Sequence, residues 1–407
     1  MKKVKNILIL AGGDSTRFWP LHEKVLFSFL GKSLIEYIFD LVEPLGEKII
    51  VVASTNNSKA IKELRPRATI LVQKDLDGMA GAVLSCKNDL KGDVLILNGN
   101  DLFSKTILLK LLDEVLAKDL DFAFVAKKMN SYFPGGYLSF DPEGKLSGII
   151  EKPDPTRLPS DLVNLVIDYF KNSAQLIQIL ADVHSGKDDL FEIALTEFIK
   201  KYKTHYVAYD NFWHTVKYPW QVLPMMNHFL SGLGEEIRLG KNVKIAQTAK
   251  VVGPCFIGDN TIIGDFALVR QSHIGNNCII GGYSEVTRSY LGNNVSLHRN
   301  YVGDSVLDNS VLLGAEATTA NFRFDGKAVK SVVSGKKIDT QLLKFGSIIG
   351  AYSKIGVNTT LLPGVKIGSH TLVAPGYTIA EDIGDNLFVR KQTVKNKHVD
   401  SLTRNTQ

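Results

Sequence analysis

The sequence predicts two architectures in one chain: an α/β domain with a doubly wound, mostly parallel sheet, and after it a parallel β-helix of hexapeptide repeats. Two observations support this. Up to about residue 220, short aliphatic segments alternate with amphipathic helical segments, which is the pattern of βαβ units. From Ile237 onward an aliphatic residue recurs every six positions, which is the pattern of short strands stacked in coils.

Composition limits the function classes. The chain has 407 residues, 44% hydrophobic and 22% charged, which suits two domains with separate cores. Its three cysteines are widely spaced, and no apolar run is long enough to span a bilayer, so we expect a cytoplasmic protein without membrane contact. The net charge of +6 suits small anionic substrates. No basic stripe interleaved with aromatic residues points to nucleic acid.

The first half of the chain is organised around its first strand. Four aliphatic residues, 7–10, predict a strand buried on both faces, and it runs into Gly12 and Gly13. A Ser33/Glu36 capping box predicts the first long helix. Further strands are predicted at 49–53, 68–72, 94–97 and 122–126, and further helices at 78–90 and after Ser104. The carboxyl ends of parallel strands share one edge, so we expect Gly12, Gln73 and Asn100 to lie together there.

The second half follows a six-residue period. Its aliphatic positions are Leu239, Ile245, Val251, Ile257, Ile263, Val269, Ile274, Ile280, Val286, Ile349, Ile355, Leu361, Ile367, Val373 and Ile379. Each is expected to point into a shared interior, with three hexads to a coil. The long break between Leu313 and Ile349 is predicted to be a protruding loop. We place the α/β domain at residues 1–222, a connecting helix at 223–236, the β-helix at 237–385 and a solvated tail at 386–407.

The turn after the first strand has the chemistry of an anion site. Successive backbone N–H groups of a glycine turn form a concavity that binds anions, and Arg17 and Lys24 add positive charge beside it. A nucleotide polyphosphate would suit such a turn. The alternative is a tight βα turn with a surface arginine.

The motif LAGG-x-STRFWPL, followed by Lys24 and GKSLIEY, resembles the signature of the sugar-1-phosphate nucleotidylyltransferases. The chain departs from that signature at Ser15, a glycine in the family, at Glu23, a proline in the family, and in a shorter loop before Lys24. The resemblance implies an NTP (UTP or dTTP) and a sugar 1-phosphate as substrates. It assigns catalytic roles to Arg17 and Lys24 and substrate contacts to Gly12 and Gly13.

Three later segments extend the resemblance in the family's order. They are QKDLDGMAGA (73–82), IIEKP (149–153) and VN (163–164). The implied substrate-binding residues are Gln73 and Gly78 at the base, and Gly136, Glu151, Lys152 and Asn164 at the sugar and its phosphate. Each segment alone also occurs in ordinary surface turns.

The resemblance fails at the metal ligands. The family holds Mg²⁺ with one aspartate after the fourth strand and another in a W-x-D segment. In this chain Asn100 and Thr215 stand at those positions. Asp101 lies one residue away, so we name Asp101 and Asn100 as the candidate metal residues, with Lys217 as a candidate source of charge where the second ligand is missing. Neutral side chains are poor partners for Mg²⁺, which prefers carboxylates and phosphates.

A second set of motifs lies in the β-helix. LHRNYVGDS (297–305) and TTAN (318–321), followed by Lys327, resemble the acetyl-transfer segments of bifunctional enzymes that acetylate an amino-sugar 1-phosphate. The resemblance implies His298 as the catalytic base toward acetyl-CoA, with Tyr301, Asn321 and Lys327 binding the substrate. A histidine near pKa 6.5 suits proton removal from an attacking amine. The family's lysine in the preceding coil falls on Thr287, with Arg288 adjacent.

Together the motifs cover nearly the whole chain and resemble the bifunctional amino-sugar-1-phosphate acetyltransferase/nucleotidylyltransferases. That family implies a left-handed β-helix, commonly a homotrimer, with Mg²⁺ as cofactor and acetyl-CoA as co-substrate. We expect acetylation of an amino-sugar 1-phosphate and nucleotidyl transfer to a sugar 1-phosphate with release of pyrophosphate. The alternatives are an acetyltransferase whose first domain is impaired and a non-catalytic protein that binds sugar nucleotides.

Overall fold

The computed structural model describes residues 3–73 and 78–390. By its internal contacts the chain divides into two compact units, Met1–Met225 and Met226–Gln407. The division falls within a helix, Val222–Ser231, in the segment predicted to connect the domains. Each unit is described by itself below.

The first unit is built on a nine-stranded sheet. In spatial order its main path is β10-β9-β11-β6-β1-β4-β5, and β8 joins β11 to β12. The strands of the unit are β1 Val4–Ala11, β2 Ser28–Phe29, β3 Lys32–Ser33, β4 Gly46–Ala53, β5 Thr69–Val72, β6 Val94–Asn98, β7 Asp101–Phe103, β8 Phe122–Lys128, β9 Gly136–Phe140, β10 Leu146–Glu151, β11 Leu162–Phe170, β12 Thr204–Ala208 and β13 Trp213–Thr215.

The strand β1 lies at the centre of the parallel part. It pairs in parallel with β4 on one side and β6 on the other, with Ala11 opposite Ala53 and Leu10 opposite Asn98. Its aliphatic residues are buried on both faces, as the unbroken hydrophobic run predicted. The carboxyl ends of β1, β4 and β6 therefore lie at one edge of the sheet, and the segments that follow these strands meet there.

The sheet is mixed rather than parallel throughout. β11 runs antiparallel to both β6 and β8, and β9 pairs antiparallel with β10. The α/β class and the parallel core are confirmed. The antiparallel half was not predicted, because each of its strands pairs with a segment distant in sequence and nothing local signals the direction of that pairing.

Helices cover both faces of the sheet. Those of this unit and its boundary are α1 Leu34–Val42, α2 Ser58–Leu64, α3 Gly78–Ser85, α4 Lys105–Lys118, α5 Ser173–Asp182, α6 Leu190–Lys201 and α7 Val222–Ser231. α1 begins with the predicted capping box, in which the Glu36 carboxylate accepts from the Ser33 backbone N–H at 2.9 Å. Ser104 caps α4 as predicted. One apolar core lies on each face of the sheet.

The second unit is a left-handed parallel β-helix, as predicted. Three parallel sheets form its walls, and successive strands pass from one wall to the next. The first wall contains Ile237–Leu239, Cys255–Ile257, His273–Ile274, Tyr290–Leu291, Val306–Leu307, Ile348–Ile349 and Lys366–Ile367. The second contains Lys244–Ile245, Ile262–Ile263, Ile279–Ile280, Ser296–Leu297, Leu312–Leu313, Lys354–Ile355, Leu372–Val373 and Phe388–Val389. The third contains Lys250–Val252, Leu268–Arg270, Glu285–Thr287, Tyr301–Gly303, Thr318–Thr319, Thr360–Leu361 and Thr378–Ile379.

The hexad residues form the interior of the coil. Ile257, Ile280 and Ile355 are almost completely buried, and the same aliphatic stack continues through the described coils. The first coil is different, since Leu239 and Ile245 are exposed. No preceding coil covers them, which is the usual condition of the terminal repeat of a solenoid.

The long break between coils does not protrude as a simple loop. Thr318–Thr319 still belongs to the third wall, and residues 330–339 form an antiparallel hairpin, Lys330–Val333 with Lys336–Asp339. The hairpin packs back on the coil: the Ser331 hydroxyl donates to the Gly364 carbonyl at 3.0 Å, and the ammonium of Lys366, only 1% exposed, donates to Ser331 Oγ at 3.1 Å.

The coil also continues past its predicted end at residue 385. Phe388–Val389 pairs with Leu372–Val373, so the residues just after 385 belong to the second wall rather than to a solvated tail. Residues 391–407 of the predicted tail lie outside the described part of the chain.

One buried acid gives the first unit a testable pH dependence. Asp168 is 0% exposed on β11, and burial raises the pKa of its carboxyl to about 8. In the unfolded chain an aspartate titrates near pH 4. The folded unit therefore holds a proton that the unfolded chain releases, and this contribution to stability is complete below about pH 4 and lost as the pH rises to about 8.

We predict that Asp168→Asn removes this dependence. Between pH 5 and 7 the free energy of unfolding of the wild type should fall, relative to the variant, by about 2.6 kcal/mol. Urea denaturation followed by tryptophan fluorescence measures it, since all three tryptophans lie in the first unit. Exposed Asp113→Asn is the control. Parallel pH curves for wild type and Asp168→Asn would contradict the prediction.

Candidate functional site

A cleft of about 710 Å³ lies where the strands β1 and β6 end. Every residue that the sequence analysis assigned to the first site lines this single cleft. They are Gly12, Gly13, Arg17, Lys24, Gln73, Gly78, Asn100, Asp101, Gly136, Glu151, Lys152 and Asn164. The structure therefore brings together residues up to 152 positions apart in the sequence, from the parallel strands and from the antiparallel strands β9, β10 and β11.

Of the three departures from the family signature, Glu23 has a backbone explanation, whereas Ser15 adopts a conformation that favours the family's glycine. Ser15 has φ of 58° and Glu23 has φ of 49°, both in the left-handed region. Proline is locked near −65°, so it does not fit the observed conformation at Glu23. Each residue immediately precedes a short 3₁₀ turn, Thr16–Phe18 and Lys24–Leu26, and these turns carry Arg17 and Lys24. The shortened loop thus still delivers both cations to the cleft.

Gly12 permits a close approach at the base end of the cleft. A Cβ atom at Gly12 would lie 2.7 Å from Gln73 Oε1 and 3.4 Å from the Ala53 carbonyl oxygen, so a side chain there would displace the glutamine. The amide of Gln73 donates to the Gly78 carbonyl oxygen at 3.2 Å. Residues 74–77, between these two predicted base contacts, lie outside the described part of the chain.

Asn57 supports the same turn and was not identified from the sequence. Its side chain is 1% exposed and donates to the Ala11 carbonyl oxygen at 3.0 Å, while its Oδ1 accepts from the Ser54 N–H at 2.9 Å. These bonds join the end of β1 to the segment that follows β4. Its position four residues after a predicted strand is the only local signal, and it is a weak one.

A carboxylate-rich end of the cleft surrounds Lys152 and extends to Gly78, where an added Cβ atom would lie 2.7 Å from Asp188 Oδ1. Lys152 lies 2.8 Å from Glu151 and 3.4 Å from Asp188. Burial opposes the charge of Lys152, but the two carboxylates raise its pKa overall. Glu192, on α6, is buried, and burial together with the nearby Glu151 carboxylate raises its pKa to about 8. The sequence analysis did not identify Glu192 or Asp188, because α6 reads as an ordinary amphipathic helix.

Gly136 and Asn164 complete that end. A Cβ atom at Gly136 would lie 2.8 Å from Ile149 Cγ2, so only glycine fits between β9 and β10 at this point. The Asn164 side chain accepts from the Val166 N–H at 2.9 Å, next to an irregularity in the pairing of β11 with β8. Both residues line the cleft.

Asn100 and Thr215 face each other where the family has its two aspartates. The Asn100 amide donates to Thr215 Oγ1 at 3.2 Å and to the Val216 carbonyl oxygen at 3.3 Å. Pairing of β7 with β13 places Thr215 opposite Asp101. Asp101 is 3% exposed and accepts from Trp213 Nε1 at 3.2 Å; burial raises the pKa of its carboxyl.

This arrangement does not fit a resident Mg²⁺ held between two carboxylates. Within residues 3–73 and 78–390, no group of three or more histidine, cysteine, aspartate or glutamate side chains is placed to hold a metal ion. Asp101 is the acid at this point of the cleft, and both its oxygens already accept hydrogen bonds, from Asn100 and Trp213.

Positive charge converges on the same point. Burial and the neighbouring Arg17 lower the pKa of Lys24. Burial lowers the pKa of Lys217 to about 8, while Asp101 opposes that shift. Arg17, Lys24 and Lys217 thus line the cleft together with the buried Asp101, and positive charge that is unpaired among the described residues favours a bound anion.

In the β-helix, four side chains form a compact network on one wall. Arg288 donates to both oxygens of Asp304 at 2.7 Å, and Asn321 donates to Asp304 at 2.5 Å and to the Tyr301 hydroxyl at 3.1 Å. The structure therefore joins the predicted Tyr301 and Asn321. Asp304, quoted in the motif but given no role, is the residue that holds the network together.

His298 and Lys327 lie outside this network. The His298 side chain is exposed on the turn before Tyr301–Gly303, and its backbone N–H donates to Asn300 Oδ1 at 2.7 Å. The backbone N–H of Lys327 donates to Asp325 at 3.2 Å, within the break between Leu313 and Ile349. Among the described residues, neither side chain forms a hydrogen bond with Tyr301 or Asn321.

No helix in the described residues is both long enough and apolar enough to cross a membrane.

Comparison with known proteins covers both units. Residues 6–216 match the nucleotidyl transferase family. The chain is 32% identical to the bifunctional protein GlmU of Methanococcus maripaludis strain C7 over 95% of this chain and 97% of that protein. It is 31% identical to a bifunctional sugar-1-phosphate nucleotidylyltransferase/acetyltransferase of Sulfurisphaera tokodaii over 94% of this chain and 99% of that protein. The chain therefore belongs to the nucleotidyl transferase family, in the branch of two-domain proteins that GlmU represents.

Proposed function

We propose that this protein is a bifunctional enzyme, a sugar-1-phosphate nucleotidylyltransferase with an amino-sugar-1-phosphate N-acetyltransferase domain. The observation that carries the first activity is the single cleft that gathers the glycine turn, Arg17, Lys24, Gln73 and Lys152. Relatives named for both activities align with nearly the full length of the chain. Acetyltransferase activity alone and non-catalytic binding of sugar nucleotides are therefore not favoured.

In the first reaction, a phosphate oxygen of the sugar 1-phosphate forms a bond to the α-phosphorus of the NTP. The bond from that phosphorus to the bridging oxygen breaks, and pyrophosphate leaves with the electron pair. Positioning and neutralisation of charge are the protein's main contributions to such a reaction. Arg17 and Lys24 would neutralise the phosphates, Gly12 and Gly13 would bind them through backbone N–H groups, and Gln73 would hydrogen-bond to the edge of a uracil or thymine base.

The carboxylate-rich end suits the sugar. Glu151 and Asn164 have acceptors for sugar hydroxyls, Gly136 leaves room for the ring, and Lys152 would bind the sugar phosphate. In the ligand-free structure Lys152 pairs with Glu151 instead, so substrate binding would exchange this ion pair for a phosphate contact.

We propose that Mg²⁺ enters the site bound to the phosphates of the NTP. Magnesium commonly reaches such sites with substrate phosphates as its main ligands and only one or two carboxylates from the protein. Asp101, with Asn100 beside it, is the contact that this chain could offer to an ion carried by the nucleotide.

For the second reaction, the amine of the substrate attacks the thioester carbonyl of acetyl-CoA. The amide bond forms, the thiol of coenzyme A leaves, and the amine gives up a proton. We propose His298 as the acceptor of that proton, with Tyr301, Asn321 and Lys327 binding the amino-sugar phosphate. His298 lies apart from the Tyr301–Asn321 pair within one chain, so a site shared between copies in a homotrimer would suit the arrangement. We also propose a cytoplasmic location, which suits the three free cysteines.

Both activities can be tested directly. We expect the protein to release pyrophosphate from UTP or dTTP with one member of a panel of sugar 1-phosphates, and free thiol from acetyl-CoA with an amino-sugar 1-phosphate. Thiol release without pyrophosphate release would mean that the first unit is impaired. Nucleotide binding without either product would identify a non-catalytic protein.

Gly12→Ala tests the base end of the cleft. The new Cβ would lie 2.7 Å from Gln73 Oε1, so the glutamine must move. We expect the Kd for UTP, measured by calorimetry, to rise about tenfold, because a hydrogen bond to the base is lost. Gly186→Ala is the matched control, because no heavy atom lies within 4 Å of its added Cβ. Equal affinities of the two variants would contradict the proposed role of Gln73.

His298→Ala tests the second site. We expect the rate of thiol release from acetyl-CoA to fall at least about 100-fold, because a positioned base usually contributes that much to the rate. Pyrophosphate release should not change, and it serves as the internal control for folding. A variant with wild-type thiol release would exclude His298 as the base.

A further inference from the structure

The first site lacks the two carboxylates that hold a metal ion in the family, and so it lacks the positive charge of an ion held there. The structure points to a replacement for that charge. We propose that the Lys217 ammonium binds a phosphate group of the substrate at the place where the family holds a metal ion between two aspartates, and so does part of the work of that ion. This inference rests on the proposed nucleotidyl transfer.

Lys217 is in the right place on the backbone. It follows Thr215, the residue at the second aspartate position, by two residues, in the bend just after the strand Trp213–Thr215. Thr215 faces Asn100 across 3.2 Å, and both residues line the cleft together with Lys217. A cation carried on Lys217 thus reaches the same part of the cleft as the residues that replace the metal ligands.

The ammonium is held in position by neutral partners. Its Nζ donates to the Pro134 carbonyl oxygen at 2.7 Å and lies 4.0 Å from the centre of the Phe133 ring. The Lys217 backbone N–H donates to Gln221 Oε1 at 2.7 Å, which fixes the start of the side chain. The contacts orient the ammonium but leave some of its three N–H donors for a ligand.

Lys217 has no carboxylate within ion-pair distance in the described part of the chain, although most of its side chain is covered. Asp101 acts on it only from a longer range. Holding a largely buried ammonium without a counter-ion costs free energy, and a bound phosphate would supply that counter-ion. The site therefore holds a positive charge for which an anionic ligand is the natural partner.

The electrostatic balance agrees with this role. In the family, the two aspartates and the divalent ion together have a net charge of zero. Asn100 and Thr215 also have a net charge of zero, without an ion. The substitution of both acids removes two of the protein's ligands for the ion, and Lys217 adds one positive charge. As the new bond to the α-phosphorus forms, a fixed ammonium stabilises the growing charge on the phosphate oxygens.

The alternative is a structural role, in which Lys217 only ties the segment 133–134 to the wall of the cleft. Lys127 provides a matched control. Its Nζ also donates to a backbone carbonyl, that of Asn211 at 2.6 Å, and lies 5.3 Å from the centre of the Tyr209 ring, but Lys127 does not line the cleft.

The first measurement is binding of UTP in EDTA by calorimetry, which needs no turnover and no metal. We expect Lys217→Met to weaken binding about tenfold or more, as for loss of a charge-assisted hydrogen bond. Lys127→Met should remain within about twofold of the wild type, and Lys217→Arg should retain most of the affinity. Tryptophan fluorescence reports whether each variant is folded, and Lys217→Gln replaces Lys217→Met if that variant does not fold.

The second measurement is pyrophosphate release across a series of Mg²⁺ concentrations. We expect Lys217→Met to lower kcat by about 100-fold, comparable to the loss of one fixed donor to a developing charge. Adding Asn100→Asp and Thr215→Asp to Lys217→Met should restore release and make it steeply dependent on Mg²⁺. Such a rescue would not follow from a purely structural role of Lys217.

The outcomes are distinct. If Lys217→Met binds UTP and turns over like the wild type, or is impaired no more than Lys127→Met, the inference is wrong while nucleotidyl transfer stands. If UTP binding depends on Lys217 but the wild type releases no pyrophosphate with any sugar 1-phosphate, the proposed transfer is wrong and the phosphate contact stands.

Discussion

The parallel alignment of β1 with β4 and β6 is the constraint on which the first site depends. Because these strands run in one direction with their carboxyl ends level, the glycine turn after β1 and the Asn100–Asp101 segment after β6 meet at one edge. Only backbone segments that leave the sheet at that edge can share a ligand. Asn57 strengthens the alignment, since it joins the turn after β1 to the segment after β4.

Acidic and basic side chains alternate along the cleft. Arg17, Asp14 and Asp101 all act on Lys24, and Lys152 lies within ion-pair distance of Glu151 and Asp188. Such a mixed lining offers partners both to the phosphates and to the hydroxyl groups of one ligand. Asn100 and Thr215 are neutral, so they add no negative charge near Lys24 and Lys217.

The β-helix meets a different constraint. Each coil buries only a few aliphatic side chains, so stability comes from stacking many similar coils rather than from one large core. Polar residues on the outer walls are then free to form networks, such as Asp304 with Arg288 and Asn321, without loss of core packing. The hairpin covers the buried ammonium of Lys366 and accepts a hydrogen bond from it, which the aliphatic interior of the coil could not do.

The sequence by itself determined the features that depend on local pattern. The buried run before Gly12 predicted the first parallel strand, the Ser33/Glu36 pair predicted a helix start, and the period of six predicted the β-helix, because in each case neighbouring residues carry the information. The motif order selected residues that the structure gathers along one cleft.

Tertiary structure alone decided which distant groups meet. Three features join segments that are too far apart for any local sequence pattern to predict their contact. They are the antiparallel pairing of β11, the contact of Asn100 with Thr215 across 115 positions and the approach of Glu192 to Glu151. The positive φ values of Ser15 and Glu23 likewise belong to turns whose shape is set by the elements on either side. Local pattern determines which elements form, whereas packing between elements decides the charge and the shape of a site.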